Sequence, residues 1–73
     1  MENLALIIRT ELKHPLGMSL AENLRAAAWY VMEEYPDTTA AEFGDAASLC
    51  GCHRQGAINR WNEARKNWEI ANP

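Results

Sequence analysis

Residues 39–66 have the sequence TAAEFGDAASLCGCHRQGAINRWNEARK, which predicts two helices joined by a short turn. Thr39 followed by Glu42 forms a capping box, so the first helix is expected to begin there and to end just before Gly51. Gly51 suits the turn because glycine adopts a positive φ without strain. The second helix is expected to cover about residues 53–68, where apolar residues recur at helical spacing.

This pair of helices has the features of a helix-turn-helix, in which the second helix lies in the major groove of DNA. The Ala46-Ala47 pair is small enough to let the second helix cross the first closely, and Ile58 is an apolar anchor on the second helix. The spacing from Gly51 to Ile58 is one residue longer than we expect for this motif. Either the turn therefore contains an extra residue, or Cys52 takes the turn position.

If the second helix enters a groove, its N-terminal residues reach base edges, where Arg pairs with guanine and Gln or Asn pairs with adenine. The predicted DNA-contacting residues are Arg54, Gln55, Asn59, Asn62 and Lys66. Arg60 and Arg65 are expected to face phosphates together with Lys66. The alternative is that these side chains form the solvated face of an ordinary bundle helix, or that they bind a different partner.

The first half of the chain predicts two more helices. Residues 3–13 are apolar nearly all round, and His14-Pro15 is expected to end this helix because the residue before proline avoids the α region. A second capping box, Ser19 with Glu22, begins a helix that Pro36 stops. The predicted fold is all-α, a compact bundle of about four helices that forms a single domain over residues 1–73 and contains the helix-turn-helix at residues 39–68.

Charge is distributed unevenly along the chain, whose net charge is −3. Residues 1–49 contain three basic and eight acidic side chains, which gives −5, whereas residues 50–73 contain four basic and two acidic ones, which gives +2. The net negative charge of the chain argues against non-specific binding of nucleic acid, but the basic C-terminal third permits a local surface that faces phosphates. The same basic segment could instead dock onto the acidic half of a second copy.

Residues 52–63, with the sequence CHRQGAINRWNE, resemble the signature of PerC-type transcriptional activators, which are small bacterial and prophage regulators. Ala57, Arg60 and Trp61 fall in register with that signature, whereas Cys52 stands where the family has its turn glycine. The second helix is also similar to the helix-turn-helix of small phage regulators of the CII type. Both resemblances imply control of transcription in a bacterial or phage setting.

Exposed apolar side chains are expected to form an interface, because Trp, Tyr and Met are enriched in interface cores. The predicted interface residues are Leu6, Ile7, Trp29 and Met32. A homodimer would suit a protein that reads DNA, since two recognition helices one turn apart bind a palindrome. The alternative function is a protein-interaction module, such as a phage-type inhibitor or adaptor, that binds a host protein through its acidic, Trp29-bearing surface.

Other classes of function find little support in the sequence. Cys50, Cys52 and His53, with His14 as a possible fourth ligand, make a poor zinc site because one residue between cysteines does not let both thiolates turn toward one ion. No glycine-rich phosphate loop and no paired acid and base are present, so we expect neither an enzyme nor a cofactor. The N-terminal apolar run is too short to span a membrane and lacks the features of a signal peptide, so a cytoplasmic protein is expected.

Overall fold

Four α-helices make up the computed structural model of this chain, which describes residues 4–13 and 19–73. They are α1 (Leu4–Leu12), α2 (Leu20–Glu34), α3 (Ala40–Leu49) and α4 (Arg54–Ala71). The described residues contain no strand, so the predicted all-α bundle of about four helices is confirmed. The predicted helix end at His14-Pro15 lies outside the described residues.

Both predicted capping boxes are present, at the starts of α2 and α3. The Ser19 hydroxyl accepts from the Glu22 backbone N–H, and the Glu22 carboxylate accepts from the Ser19 backbone N–H at 3.0 Å. Thr39 and Glu42 form the same pair of bonds at the start of α3. The hydrogen bonds from Ser19 lower the pKa of Glu22, so this carboxylate remains ionised beside the positive end of α2.

The core lies where α4 packs against both α2 and α3, while α1 packs against α2 and α3. At its centre Phe43 of α3 contacts Trp61 of α4, with ring centroids 5.0 Å apart and a tilted geometry. Phe43 is fully buried, and Trp61 is nearly so. The other buried apolar residues are Leu4, Ile8, Leu24, Ala27, Ala28, Val31, Met32, Ala46, Ala47, Ala57 and Ala64.

α3 and α4 approach each other closely at Gly44, near the Ala46-Ala47 pair that the sequence indicated. A Cβ atom added at Gly44 would lie 2.7 Å from Cγ1 of Ile58 and 3.2 Å from Cγ of Arg54. Ala46 and Ala47 are buried in the core beside this crossing. Glycine at position 44 therefore weakens α3 locally, but it allows the two helices to approach more closely than any side chain would permit.

We expect the substitution Gly44→Ala to destabilise the protein by up to about 2 kcal/mol, because overpacking costs about 1–3 kcal/mol and the better helix propensity returns about 1 kcal/mol. The measurement is urea unfolding followed by circular dichroism. The control is the double variant Gly44→Ala with Ile58→Ala, which lacks the clash with Ile58. Its loss of unfolding free energy should be smaller than the sum of the losses in the two single variants. A Gly44→Ala protein as stable as the original would show that the crossing tolerates a side chain.

The connection between α3 and α4 is a Schellman turn centred on Gly51. Gly51 has φ = +86°, its backbone N–H bonds to the Ser48 carbonyl at 3.1 Å, and the Cys52 N–H bonds to the Ala47 carbonyl at 3.0 Å. Gly51 thus takes the turn position itself, which excludes the alternative that Cys52 takes it. The first buried residue of α4 is Ala57, not Ile58, and this accounts for the apparent extra residue.

Candidate nucleic-acid interface

The start of α4 is capped by His53, which precedes its first residue. Nδ1 of His53 accepts a hydrogen bond from the Gly56 backbone N–H at 3.2 Å, so this ring nitrogen carries no proton in the structure. No acidic residue lies in the first turn of α4. The free N–H groups and the dipole of this 18-residue helix therefore give its N-terminus a positive potential.

Four exposed polar residues follow one side of α4, and we call them the α4 polar stripe: Gln55, Asn59, Asn62 and Lys66. At 100° per residue they lie within an arc of about 60°. The buried residues Ala57, Trp61 and Ala64 lie on the opposite side of the helix. Within the stripe, the Gln55 amide donates to the Asn59 Oδ1 atom at 3.1 Å. The stripe thus presents hydrogen-bonding groups that are not required for packing.

Arg54 is also exposed, but at 100° per residue it lies about 80° outside the arc of the stripe and leans toward α3. Its Nε atom bonds to Oδ1 of Asp45 at 2.6 Å. All five residues predicted to contact DNA are therefore accessible, and four of them share one stripe. The contact between Arg54 and Asp45 was not anticipated from the sequence, although the short turn between α3 and α4 brings these positions near each other.

Arg60 and Arg65, which were expected to face phosphates together with Lys66, lie outside the stripe and are ion-paired. Arg60 is half-buried, and its Nη2 atom pairs with the Glu63 carboxylate at 2.7 Å, which also accepts from Arg25 of α2 at 2.9 Å. Arg65 pairs with Glu69 at 3.1 Å. Both arginines lie beside the buried face of α4, where glutamates three and four residues further along the helix pair with them.

Lys66 is the only basic side chain of α4 without an ion pair to any residue in the ranges 4–13 and 19–73. The exposed face of α4 is therefore composed mainly of amides with one cation at its far end. It does not form a continuous positive surface. A face of this composition offers hydrogen bonds but little electrostatic attraction for phosphates.

The residues predicted to form an interface differ in their exposure. Leu6 is 55% exposed, whereas Ile7 and Trp29 are partly buried. Met32 is only 1% exposed, so its prediction as an interface residue was wrong. Both α1 and α4 pack against α2, and this buries about half of the circumference of α2, including the side on which Met32 lies. Among the described residues, the exposed large apolar ones outside the predicted set are Leu20, Tyr30, Leu49 and Ile70.

The cluster at the α3–α4 turn has structural partners for each side chain. The Cys50 thiol donates to the Ala5 carbonyl at 3.2 Å, and His53 caps α4. Burial and the neighbouring Cys50 raise the pKa of Cys52, so its thiol stays protonated at neutral pH. In the part of the chain that the structure describes, no three His, Cys, Asp or Glu side chains are grouped to hold a metal ion. His14 lies outside that part.

Among the described helices, none has both the length and the apolar character needed to cross a membrane. Comparison of the chain with protein-family models, with curated proteins and with solved structures finds no match. The resemblance to PerC-type activators therefore depends on residues 52–63 alone. Two of the three residues that carry it, Ala57 and Trp61, are buried, and Arg60 is ion-paired, so the likeness concerns the packing of α4 and not its exposed face.

Proposed function

We propose that this chain is a small DNA-binding regulator of transcription of the bacterial or phage type. In this proposal α3 and α4 form a helix-turn-helix, and the N-terminal half of α4 lies in the major groove. The observation that supports the proposal is the exposed α4 polar stripe, which lies opposite the buried side of the same helix. Because the packing of α4 uses only its other side, the stripe is free to bind a partner.

The order of residues along the stripe suits a groove. Gln55 and Asn59 lie in the first two turns, where side chains reach base edges, and amides pair with adenine through its N6 and N7 atoms. Lys66 lies about 16 Å further along the axis than Gln55, at a rise of about 1.5 Å per residue. The major groove is about 12 Å wide, so Lys66 would lie over the phosphate backbone that borders it.

The charges of the chain indicate weak electrostatic attraction. The net charge is −3, and Arg54 and Lys66 are the cations closest to the proposed contact. A single phosphate contact per protomer, from Lys66, corresponds to a logarithmic salt slope of about −1, well below that of strongly basic proteins. Binding would therefore depend on base contacts and on the combination of two protomers on one duplex.

The test is binding of duplex DNA by fluorescence anisotropy over a range of salt concentrations, with Arg54→Ala and Lys66→Ala variants. We expect Lys66→Ala to reduce the salt slope by about 1 and to weaken binding to all sequences alike. Arg54→Ala should weaken binding chiefly to preferred sequences. The control is Lys13→Ala, which removes an exposed cation at the end of α1. Binding that is unchanged in both α4 variants would contradict the proposal.

Self-association is part of this proposal, and Leu6 is the residue that carries it. Leu6 is a 55% exposed leucine on a nine-residue helix whose other side packs in the core. We expect Leu6→Lys to weaken dimerisation by about tenfold, because burial of a leucine contributes about 1.5–3 kcal/mol.

Sedimentation velocity over a range of protein concentrations measures this effect. The control is Leu20→Lys, since Leu20 is a leucine of equal exposure, 56%, on α2. The proposed role of Leu6 is wrong if the original chain sediments as a monomer at all concentrations. It is also wrong if Leu6→Lys and Leu20→Lys change dimerisation to the same extent.

The second candidate function is a protein-interaction module that binds a host protein through α2. Tyr30 is 45% exposed beside the half-buried Trp29, and the exposed carboxylates Glu33 and Glu34 follow on the same helix. An exposed aromatic next to acidic groups is suited to a basic partner. Its test is co-purification from a bacterial host. A host protein that the original chain retains and the Tyr30→Ala chain loses would favour this function, and retention by both would oppose it.

A further inference from the structure

Arg54 is held against α3 at two points. Its aliphatic stem passes over Gly44, where an added Cβ atom would lie 3.2 Å from Cγ of Arg54. Its Nε atom then bonds to the Asp45 carboxylate at 2.6 Å. Arg54 and Asp45 remain 49% and 68% exposed, so the pair lies at the surface of the α3–α4 face. The guanidinium is therefore oriented by α3 while its outer edge stays accessible.

The atoms that Asp45 leaves free determine what Arg54 can bind. A guanidinium has five N–H groups, and the bond from Nε leaves those of Nη1 and Nη2. These two nitrogens form a planar fork whose spacing matches the O6 and N7 acceptors of guanine in the major groove. A phosphate contact needs no such fixed orientation, and a carboxylate beside the arginine repels phosphate.

Stability alone is a poor explanation for this pair. Exposed ion pairs contribute little to folding because solvent screens them and both side chains lose conformational freedom. Asp45 also places a negative charge on the face that the proposed function directs toward DNA. That charge reduces affinity for every sequence, and a gain in selectivity would offset this reduction.

We propose that Asp45 is a positioning residue that gives the protein its preference for guanine at one position of its DNA site, by holding Arg54 with its Nη edge outward. This inference rests on the proposed function, since it assigns a base to one residue of the same interface. Asp45 touches no base itself and acts through Arg54. It also opposes the use of Arg54 as a general phosphate contact.

The test is selection from duplex DNA with a randomised central segment, carried out with the original chain and with variants. We expect the original chain to enrich guanine at one position, and Asp45→Ala and Arg54→Lys each to reduce that preference about tenfold. Asp45→Ala should bind unselected DNA at least as tightly as the original, because a repulsive charge is gone. Asp45→Asn keeps an oxygen that accepts from Nε and should retain more of the preference. The charge-matched control is Glu33→Ala, on α2.

Four further outcomes decide the inference. Asp45→Ala added to Arg54→Lys should cause no additional loss of preference, since both act on one contact. If Asp45→Ala weakens binding to all sequences equally, the pair only holds α4 against α3. If Asp45→Ala leaves the guanine preference undiminished, Arg54 needs no positioning. Either result would overturn the inference and leave the proposed function intact, whereas no binding to any duplex by the original chain would overturn both. Circular dichroism confirms that each variant is folded.

Discussion

Replacement of Phe43 by alanine is expected to destabilise the protein by about 3–5 kcal/mol, the cost of a Phe→Ala change in a core. Phe43 is fully buried and contacts Trp61 across the α3–α4 interface, with ring centroids 5.0 Å apart. A domain of this size has a total stability of about 4–11 kcal/mol, so one substitution removes a large part of it. Because Trp61 of α4 loses its ring partner on α3, both helices should unfold in the same transition.

The measurement is thermal and urea unfolding followed by circular dichroism and tryptophan fluorescence. The matched control is Leu49→Ala, which removes an apolar side chain from the same helix at a position that is 74% exposed. That change should alter the free energy of unfolding by no more than about 0.5 kcal/mol. Comparable losses in the two variants would mean that the core is not centred on Phe43.

The double substitution of Gln55→Ala with Asn59→Ala is expected to weaken binding to the preferred DNA site by about 100-fold. Each amide that pairs with adenine contributes about 1–3 kcal/mol of discrimination, and both side chains are exposed and point from the first two turns of α4. The two amides also bond to each other at 3.1 Å, so loss of either one frees its neighbour. Binding to unrelated duplexes should change little, because the total charge is the same.

Asn67→Ala provides the matched control, since Asn67 is an exposed amide of α4 that lies outside the polar stripe. We expect this variant to bind both preferred and unrelated duplexes like the original chain. Fluorescence anisotropy with the two kinds of duplex gives the ratio of affinities that decides the question. A ratio that the double substitution leaves unchanged would mean that Gln55 and Asn59 do not read bases.

Helix boundaries and the α3–α4 turn were predictable because they depend on local chemistry. The capping boxes at Ser19 and Thr39 and the positive φ of Gly51 follow from residues next to one another in the chain. Gly44 was not predictable in the same way. Its local effect is to weaken α3, and its role appears only when Ile58 of another helix lies against it. Helix propensity alone cannot reveal such a contact, because tertiary packing overrides propensity.

The exposed face of α4 was predictable from helical periodicity, but its pairings were not all anticipated. The stripe from Gln55 to Lys66 follows from the period of about 3.6 residues. Arg60 was expected to face phosphates. In the structure it lies beside the buried face and pairs with Glu63, three residues on, and Glu63 also pairs with Arg25 of α2. Met32 was expected at an interface because it lies near Trp29, but the packing of α1 and α4 on α2 buries it.

The most direct test of the proposed function is an NMR titration of the isotope-labelled chain with duplex DNA. We expect the largest changes in amide and side-chain signals at the exposed positions of α4, namely Arg54, Gln55, Asn59, Asn62 and Lys66, together with the N-terminal amides of that helix. The signals of α1 and of the exposed side of α2 should stay in place. A chain that shows no changes with any duplex, or changes confined to α1 and α2, would contradict the account.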